Sequence, residues 1–192
     1  DTLVNVNAFG EPVPSSRFMG GREFDLLMLD RKAQATDDDV LQVLDQNIML
    51  LPSVENQTGP FQGWMSEWTV EPNRLNDGTY YAAVSFYLAL VTNVCLNLCG
   101  ADGPIIVEGP FAQNQFYLAM LESASGRPVL RSDSSATGTS IGAAMLTLKE
   151  LDKTVQEPLQ AEAAMVDKRF ARYADHWQEQ LTCPSYHAND IS

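Results

Sequence analysis

The sequence predicts an α/β layered domain, and three observations carry that expectation. A short apolar run, Pro104-Ile105-Ile106-Val107, leads through a glycine–proline break into a helical stretch over Ala112 to Ser125. A second extended run follows at Gly126-Arg127-Pro128-Val129-Leu130, then a polar loop over 132–139 and a further helical stretch over 140–151. Strands alternating with helices in this way favour packed α/β layers. The chain has 192 residues, 45% hydrophobic and 19% charged, enough to bury one sizeable core in a single domain over 1–192.

From the N-terminal end, Val4, Val6 and Ala8 alternate with Asn5, Asn7 and Phe9, the period of a half-buried strand. Gly10 to Pro12 supply a turn. A second extended stretch around Arg17 to Met19, broken by Gly20 and Gly21, completes a hairpin. Thr36 ahead of Asp37, Asp38 and Asp39 reads as an N-cap and an acidic first helical turn, with Val40, Leu41, Val43, Leu44 and Ile48 following. Helix-start electrostatics accounts for the triple aspartate without a metal.

Residues 52–76 contain Pro52, Gly59, Pro60, Gly63 and Pro72 and read as an irregular insertion, with Trp64 and Trp68 folding it onto the body. A long apolar helix spans about Thr79 to Leu98, and Gly100 ends it. Ser85, Thr92, Asn93 and Asn97 lie inside it, and no Lys or Arg occurs between Arg74 and Arg127. A membrane span normally has basic flanks on one side, so a buried core helix fits better. The strand over 104–107 is expected to be buried on both faces. Pro158 opens a last helix whose apolar face is Val166, Phe170, Tyr173, Trp177 and Leu181. The tail over 184–192 carries no order signal.

Lys plus Arg number 12 against 25 Asp plus Glu, a formal net charge of -13. Such a surface repels phosphate backbones and anionic lipid, which disfavours nucleic-acid and membrane partners. A nucleotide stays compatible, because a local pocket of backbone N–H groups binds phosphate whatever the net charge. Three cysteines without framework spacing, Cys95, Cys99 and Cys183, point to reduced thiols in a cytoplasmic protein. The chain opens on Asp1 with a polar alternation and no signal-peptide pattern, so it is expected to be a cytoplasmic fragment.

No Walker A loop and no GxGxxG run is present, and His176 and His187 have no nucleophile in a recognisable motif. The junction at Gly109 is a candidate ligand site. A glycine after a buried strand lets a ligand approach the backbone, and ligands in open α/β sheets bind beyond the carboxyl ends of strands. A simple change of chain direction explains the same spacing, so both readings stand. Thr137-Gly138-Thr139-Ser140 has phosphate-cradle composition, and its plainer reading is the cap of the helix after it.

Three stretches in this order resemble the C-terminal domain of FGGY carbohydrate kinases: Ile105-Ile106-Val107-Glu108-Gly109-Pro110-Phe111-Ala112-Gln113-Asn114, then Gly126-Arg127-Pro128-Val129, then Gly142-Ala143-Ala144-Met145. Asn114, together with Val13-Pro14 and Arg17-Phe18-Met19-Gly20-Gly21-Arg22-Glu23, resembles the fuculokinase and rhamnulokinase branches. Tyr173-Ala174-Asp175-His176-Trp177 resembles the family's terminal helix. The resemblance implies an actin-like ATPase (ribonuclease H-like) domain, a mixed sheet with helices on both faces. It implies the nucleotide-side half of an ATP-dependent kinase phosphorylating a fuculose-, rhamnulose- or xylulose-like sugar.

By the same resemblance, ATP with Mg²⁺ lies across a cleft between two domains. Gly109, Pro110 and Phe111 wall the adenine, and Asn114 hydrogen-bonds it. The catalytic base and most sugar contacts belong to an N-terminal domain, so this chain carries no catalytic residue, no metal ligand and no activity alone. A homodimer is compatible with it. One departure stands out: the usual glycine run reads Glu108-Gly109-Pro110, which removes an N–H and adds a negative charge. A non-catalytic actin-like binding module is therefore the alternative.

Overall fold

A computed structural model describes residues 2–7, 9–29, 31, 34–132, 160–161 and 168–182. Strands β1 (Thr2–Val6) and β2 (Pro12–Ser16) precede helices α1 (Gly20–Met28) and α2 (Asp37–Gln46). Strands β3 (Leu50–Leu51) and β4 (Glu67–Trp68) follow, then α3 (Asp77–Leu98), β5 (Ile105–Val107), α4 (Gln115–Ser125), β6 (Val129–Arg131), β7 (Gln160–Ala161) and α5 (Lys168–Leu181). The fold is mixed α/β. Its described strands form three small sheets: β1–β2, β3–β4, and β5–β6–β7. The last is itself mixed, with β5 parallel to β6 and β7 antiparallel to it.

The first hairpin forms, but with its second strand five residues earlier than the sequence suggested. Pro12 and Pro14 pair with Val6 and Val4. Because they occupy alternate positions, Val13 and Ser15 keep donors for the ladder, and an edge ribbon tolerates the prolines. All five residues of β1 are exposed, so the expected half-burial is wrong. Gly20 and Gly21 do not break the chain. They open α1, a helix that glycine's low propensity concealed.

Thr36 caps α2 as expected. Its side chain accepts from the Asp39 N–H, and Asp39 Oδ2 accepts in turn from the Thr36 N–H at 2.9 Å, a reciprocal capping box. Asp39 Oδ1 also accepts from Thr79 Oγ1 at 3.1 Å, tying α2 to α3. Gly78 is required at that crossing, since a Cβ there would collide with the Asp39 carboxylate. Burial pushes the Asp39 pKa up, and hydrogen bonds from Thr36, Thr79 and Asn76 outweigh that, leaving its carboxyl below the ordinary value.

The segment 52–76 is irregular apart from β4 and a 3₁₀ turn at Pro72–Arg74, and it is fastened to the body. Trp68 stacks on Tyr80 at 4.9 Å between ring centroids, and the Arg31 guanidinium sits 4.1 Å from the Tyr80 centroid. Arg31 also donates to the carbonyls of Leu75 and Pro72 and to Asp77.

Helix α3 is the core. By length and composition it could cross a membrane, yet Ala82 to Ala89 are buried around the whole circumference in this fold. Helices α1, α2 and α4 pack on it. Helix α5 closes the core with Phe170, Tyr173, Trp177 and Leu181, the expected stripe. Its polar tips are satisfied: Tyr173 Oη donates to Ile48 O at 2.7 Å and Trp177 Nε1 to Leu50 O at 2.8 Å.

Two further corrections concern the strands. Ile106 is 53% exposed, so β5 is not buried on both faces. Residues 160–161 are strand where a helix opened by Pro158 was expected, and α5 is described over Lys168–Leu181. The polar loop over 133–139, the helix over 140–151, Val166, Cys183, His187 and the tail lie outside the described residues.

Candidate functional site

The β5–α4 junction starts where the parallel pair ends. Register sets Ile105 beside Val129 and Val107 beside Arg131, and Ser132 N donates to Val107 O at 3.1 Å. Glu108, Gly109 and Pro110 then stand exposed at the carboxyl end of β5. Gly109 has φ 77°, a conformation that side-chain-bearing residues rarely adopt. A Cβ placed there would meet no atom within 4 Å, so the backbone faces open space. Both the unusual conformation and open approach suit a ligand lying against the main chain.

Pro110–Gln113 forms a 3₁₀ turn, not the first turn of an α-helix starting at Ala112. Pro110 supplies a preset φ at the position where its missing N–H costs least. The Phe111 ring is half-buried and meets Phe24 edge-on, with centroids 5.7 Å apart at 87°. The Tyr117 ring lies 5.2 Å from it, tilted by 33°.

Asn114 caps α4, its Oδ1 accepting from Tyr117 N at 3.1 Å. It is 8% exposed, and its Nδ2 donates to Ser85 Oγ at 2.9 Å, which itself donates to Tyr81 O. The side chain expected to hydrogen-bond a nucleotide is thus committed to protein partners that pin α4 on α3. Burial pushes the Tyr117 phenol above its ordinary value, and its Oη donates to Thr92 Oγ1 at 3.0 Å. The junction therefore has a locked polar back, an aromatic flank and an exposed lip.

Such a lip suits a flat, largely uncharged group. Among the described residues no three His, Cys, Asp or Glu side chains converge to hold a metal ion. Cys95 is a free, buried thiol, pushed up by desolvation, as a core cysteine should be. His176 contacts only Gln180 of its own helix in the hydrogen bonds described, at 3.1 Å. The segment 137–140 lies outside the described residues. The sequence reading passed over Phe24, whose helix it had not recognised, and Arg131, which only strand register places beside Val107.

A concavity of about 480 Å³ lies between the C-terminal halves of α3 and α4 and the middle of α5, lined by Leu90, Asn93, Val94, Leu98, Ala124 and Trp177 among others. It is at the opposite end of α4 from Asn114.

Residues 1–157 match a family model described as the C-terminal domain of carbohydrate kinase FGGY. Among solved structures the chain is similar to a carbohydrate kinase from Novosphingobium aromaticivorans, with 31% identity and a TM-score of 0.79, covering 100% of this chain and 40% of that one. It is also similar to a xyloylose kinase from Brucella ovis, at 17% identity and a TM-score of 0.57 over 78% of this chain and 36% of that one. A ligand-bound xylulose kinase from Lactobacillus acidophilus matches at 18% identity and a TM-score of 0.52, over 87% of this chain and 39% of that one. These two low identities speak for the fold alone. The chain spans about two fifths of the length of the first of these kinases. No curated protein matches the sequence.

Proposed function

The chain belongs to the FGGY carbohydrate kinase family as a C-terminal domain with the actin-like ATPase fold, and we propose that it forms the nucleotide-side half of an ATP-dependent sugar kinase. The observation that carries this reading is the open, left-handed Gly109 at the carboxyl end of a parallel strand, flanked by the Phe111 ring. Gly109 and Pro110 offer backbone to the adenine, and Phe111 packs at its edge. Asn114 supports the wall from behind instead of touching the base, because both ends of its amide are engaged.

The phosphates point away from this lip, toward the cleft with the other domain. There the sugar hydroxyl attacks the γ-phosphate, and positioning and charge stabilisation do the catalysis. Mg²⁺ would be held with the nucleotide's phosphates by groups of the other domain and would offset their charge. The base belongs to the other domain, so this chain alone is inactive, and domain closure assembles the site. The acceptor is a sugar of the fuculose, rhamnulose or xylulose type. Support comes from the resemblance of the segment Val13 to Glu23 to the fuculokinase and rhamnulokinase branches.

Calorimetric titration of Mg-ADP into the chain tests the reading. Saturable binding is expected, weakened at least about tenfold by Phe111→Ala or Gly109→Val, the order of one lost stacking contact. Binding unchanged in both variants would remove the nucleotide from this junction. No saturable binding up to millimolar nucleotide would favour the non-catalytic module, in keeping with Glu108 and Pro110.

A further inference from the structure

Helix α1 is held to the body in an unusual way: Glu23 is its only fully buried residue, at 2% exposure. Leu26 and Leu29 beside it point to solvent, and its N-cap, Met19, makes no side-chain capping bond. A buried carboxylate is costly unless it is hydrogen-bonded, and an apolar residue of similar size usually packs at lower cost. Glu23 has two donors from separate segments. Tyr87 Oη of α3 donates to Oε2 at 2.6 Å, and the Glu55 N–H of the 52–76 segment donates to Oε1 at 3.0 Å. The neighbouring cation, Arg22, pairs with Glu55 at 3.0 Å. Two directional bonds to one side chain act together with the partial packing of Phe24, Leu27 and Met28 in setting the rotation of α1 about its own axis.

That rotation decides where the next residue goes. Phe24 stands edge-on to Tyr81 at 6.0 Å and 86°, and edge-on to Phe111 at 5.7 Å and 87°. We propose that Glu23 is a positioning residue for the Phe111 wall. Held by Tyr87 and the Glu55 N–H, it sets α1 so that Phe24 braces the ring that flanks Gly109. The proposal deepens the nucleotide-site reading and rests on it for its functional meaning, but the positioning itself is measurable without any nucleotide. It also gives a task to Gly20-Gly21-Arg22-Glu23, which the kinase reading leaves without one.

The test is fluorine NMR on the 192-residue chain carrying fluorinated phenylalanine, with the Phe111 and Phe24 resonances assigned by Phe111→Leu and Phe24→Leu. Tyr87→Phe and Glu23→Ala should shift or broaden both resonances while Phe170, on α5, stays in place. Glu23→Gln should restore them, since its amide oxygen still accepts from the Glu55 N–H and its amide nitrogen donates to the Tyr87 hydroxyl oxygen. If Glu23→Ala does not fold, Tyr87→Phe, which loses only a hydroxyl, carries the test. Phe111 and Phe24 resonances at wild-type positions in Tyr87→Phe overturn the proposal, as does a displacement shared equally by Phe170, which would mean general loosening. In parallel, Mg-ADP affinity should fall about fivefold or more in Tyr87→Phe and recover in Glu23→Gln. Selective resonance shifts with no Mg-ADP binding by any variant or the wild type would defeat the nucleotide reading and leave the positioning role standing.

Discussion

Helix α3 and the β1–β2 hairpin are both rich in apolar side chains and meet opposite fates. In α3, eight consecutive residues from Ala82 to Ala89 are shut away from solvent. In β1 every residue is exposed, Val4 by 68% and Val6 by 70%, and Phe9 just beyond the strand by 77%. Register puts Val4, Val6, Pro12 and Pro14 on one face of the ribbon, so the exposed apolar surface is continuous. Composition does not decide burial here; neighbours do. Helix α3 has α1, α2 and α4 around it, whereas a two-stranded ribbon has little to bury against and is marginal by itself. Stability resides in the helical layer, and the hairpin contributes surface.

The largest effect that could break this contrast is Trp177→Ala. It empties a buried site against the core and removes the donor to Leu50 O, and should cost about 3–5 kcal/mol in urea unfolding. A loss below about 1 kcal/mol would mean that α5 is not part of the cooperative core. Next comes Thr36→Ala, which deletes the capping box of α2 and should cost about 1 kcal/mol by the same measurement. The smallest is Val4→Ser on the exposed ribbon, expected to change stability by no more than about 0.5 kcal/mol. A loss above that range would show that the hairpin shares in the core after all.

What could be read from the sequence followed how local the signal was. The α2 cap was legible, because Thr36 and the three aspartates act within one turn. So were α3 and the α5 face, whose apolar patterns are long. Helix α1 was hidden because Gly20-Gly21 imitates a breaker, and its one buried carboxylate has partners that lie 32 and 64 residues away. The strand–glycine turn at Gly109 was legible from residue order. The hydrogen bonds of Asn114 were not: its partner Ser85 is brought in by the packing of α3 against α4, which no pattern within 104–114 reveals. Ile106 misled for a related reason, since three apolar residues in a row do not tell which side of a strand is covered.

The arginine of the second extended run holds a turn by its backbone alone. Arg127 reaches back across the turn between α3 and β5 and donates to three successive carbonyls, Ala101 O at 3.1 Å, Asp102 O at 2.9 Å and Gly103 O at 2.6 Å. Carbonyls belong to every residue alike, so the side chains at positions 101 and 102 are free to drift over generations without loosening the turn. The guanidinium has no such freedom: lysine offers a point charge where a planar fork is needed. Among descendants of this chain, a variable loop should therefore face an arginine that does not change.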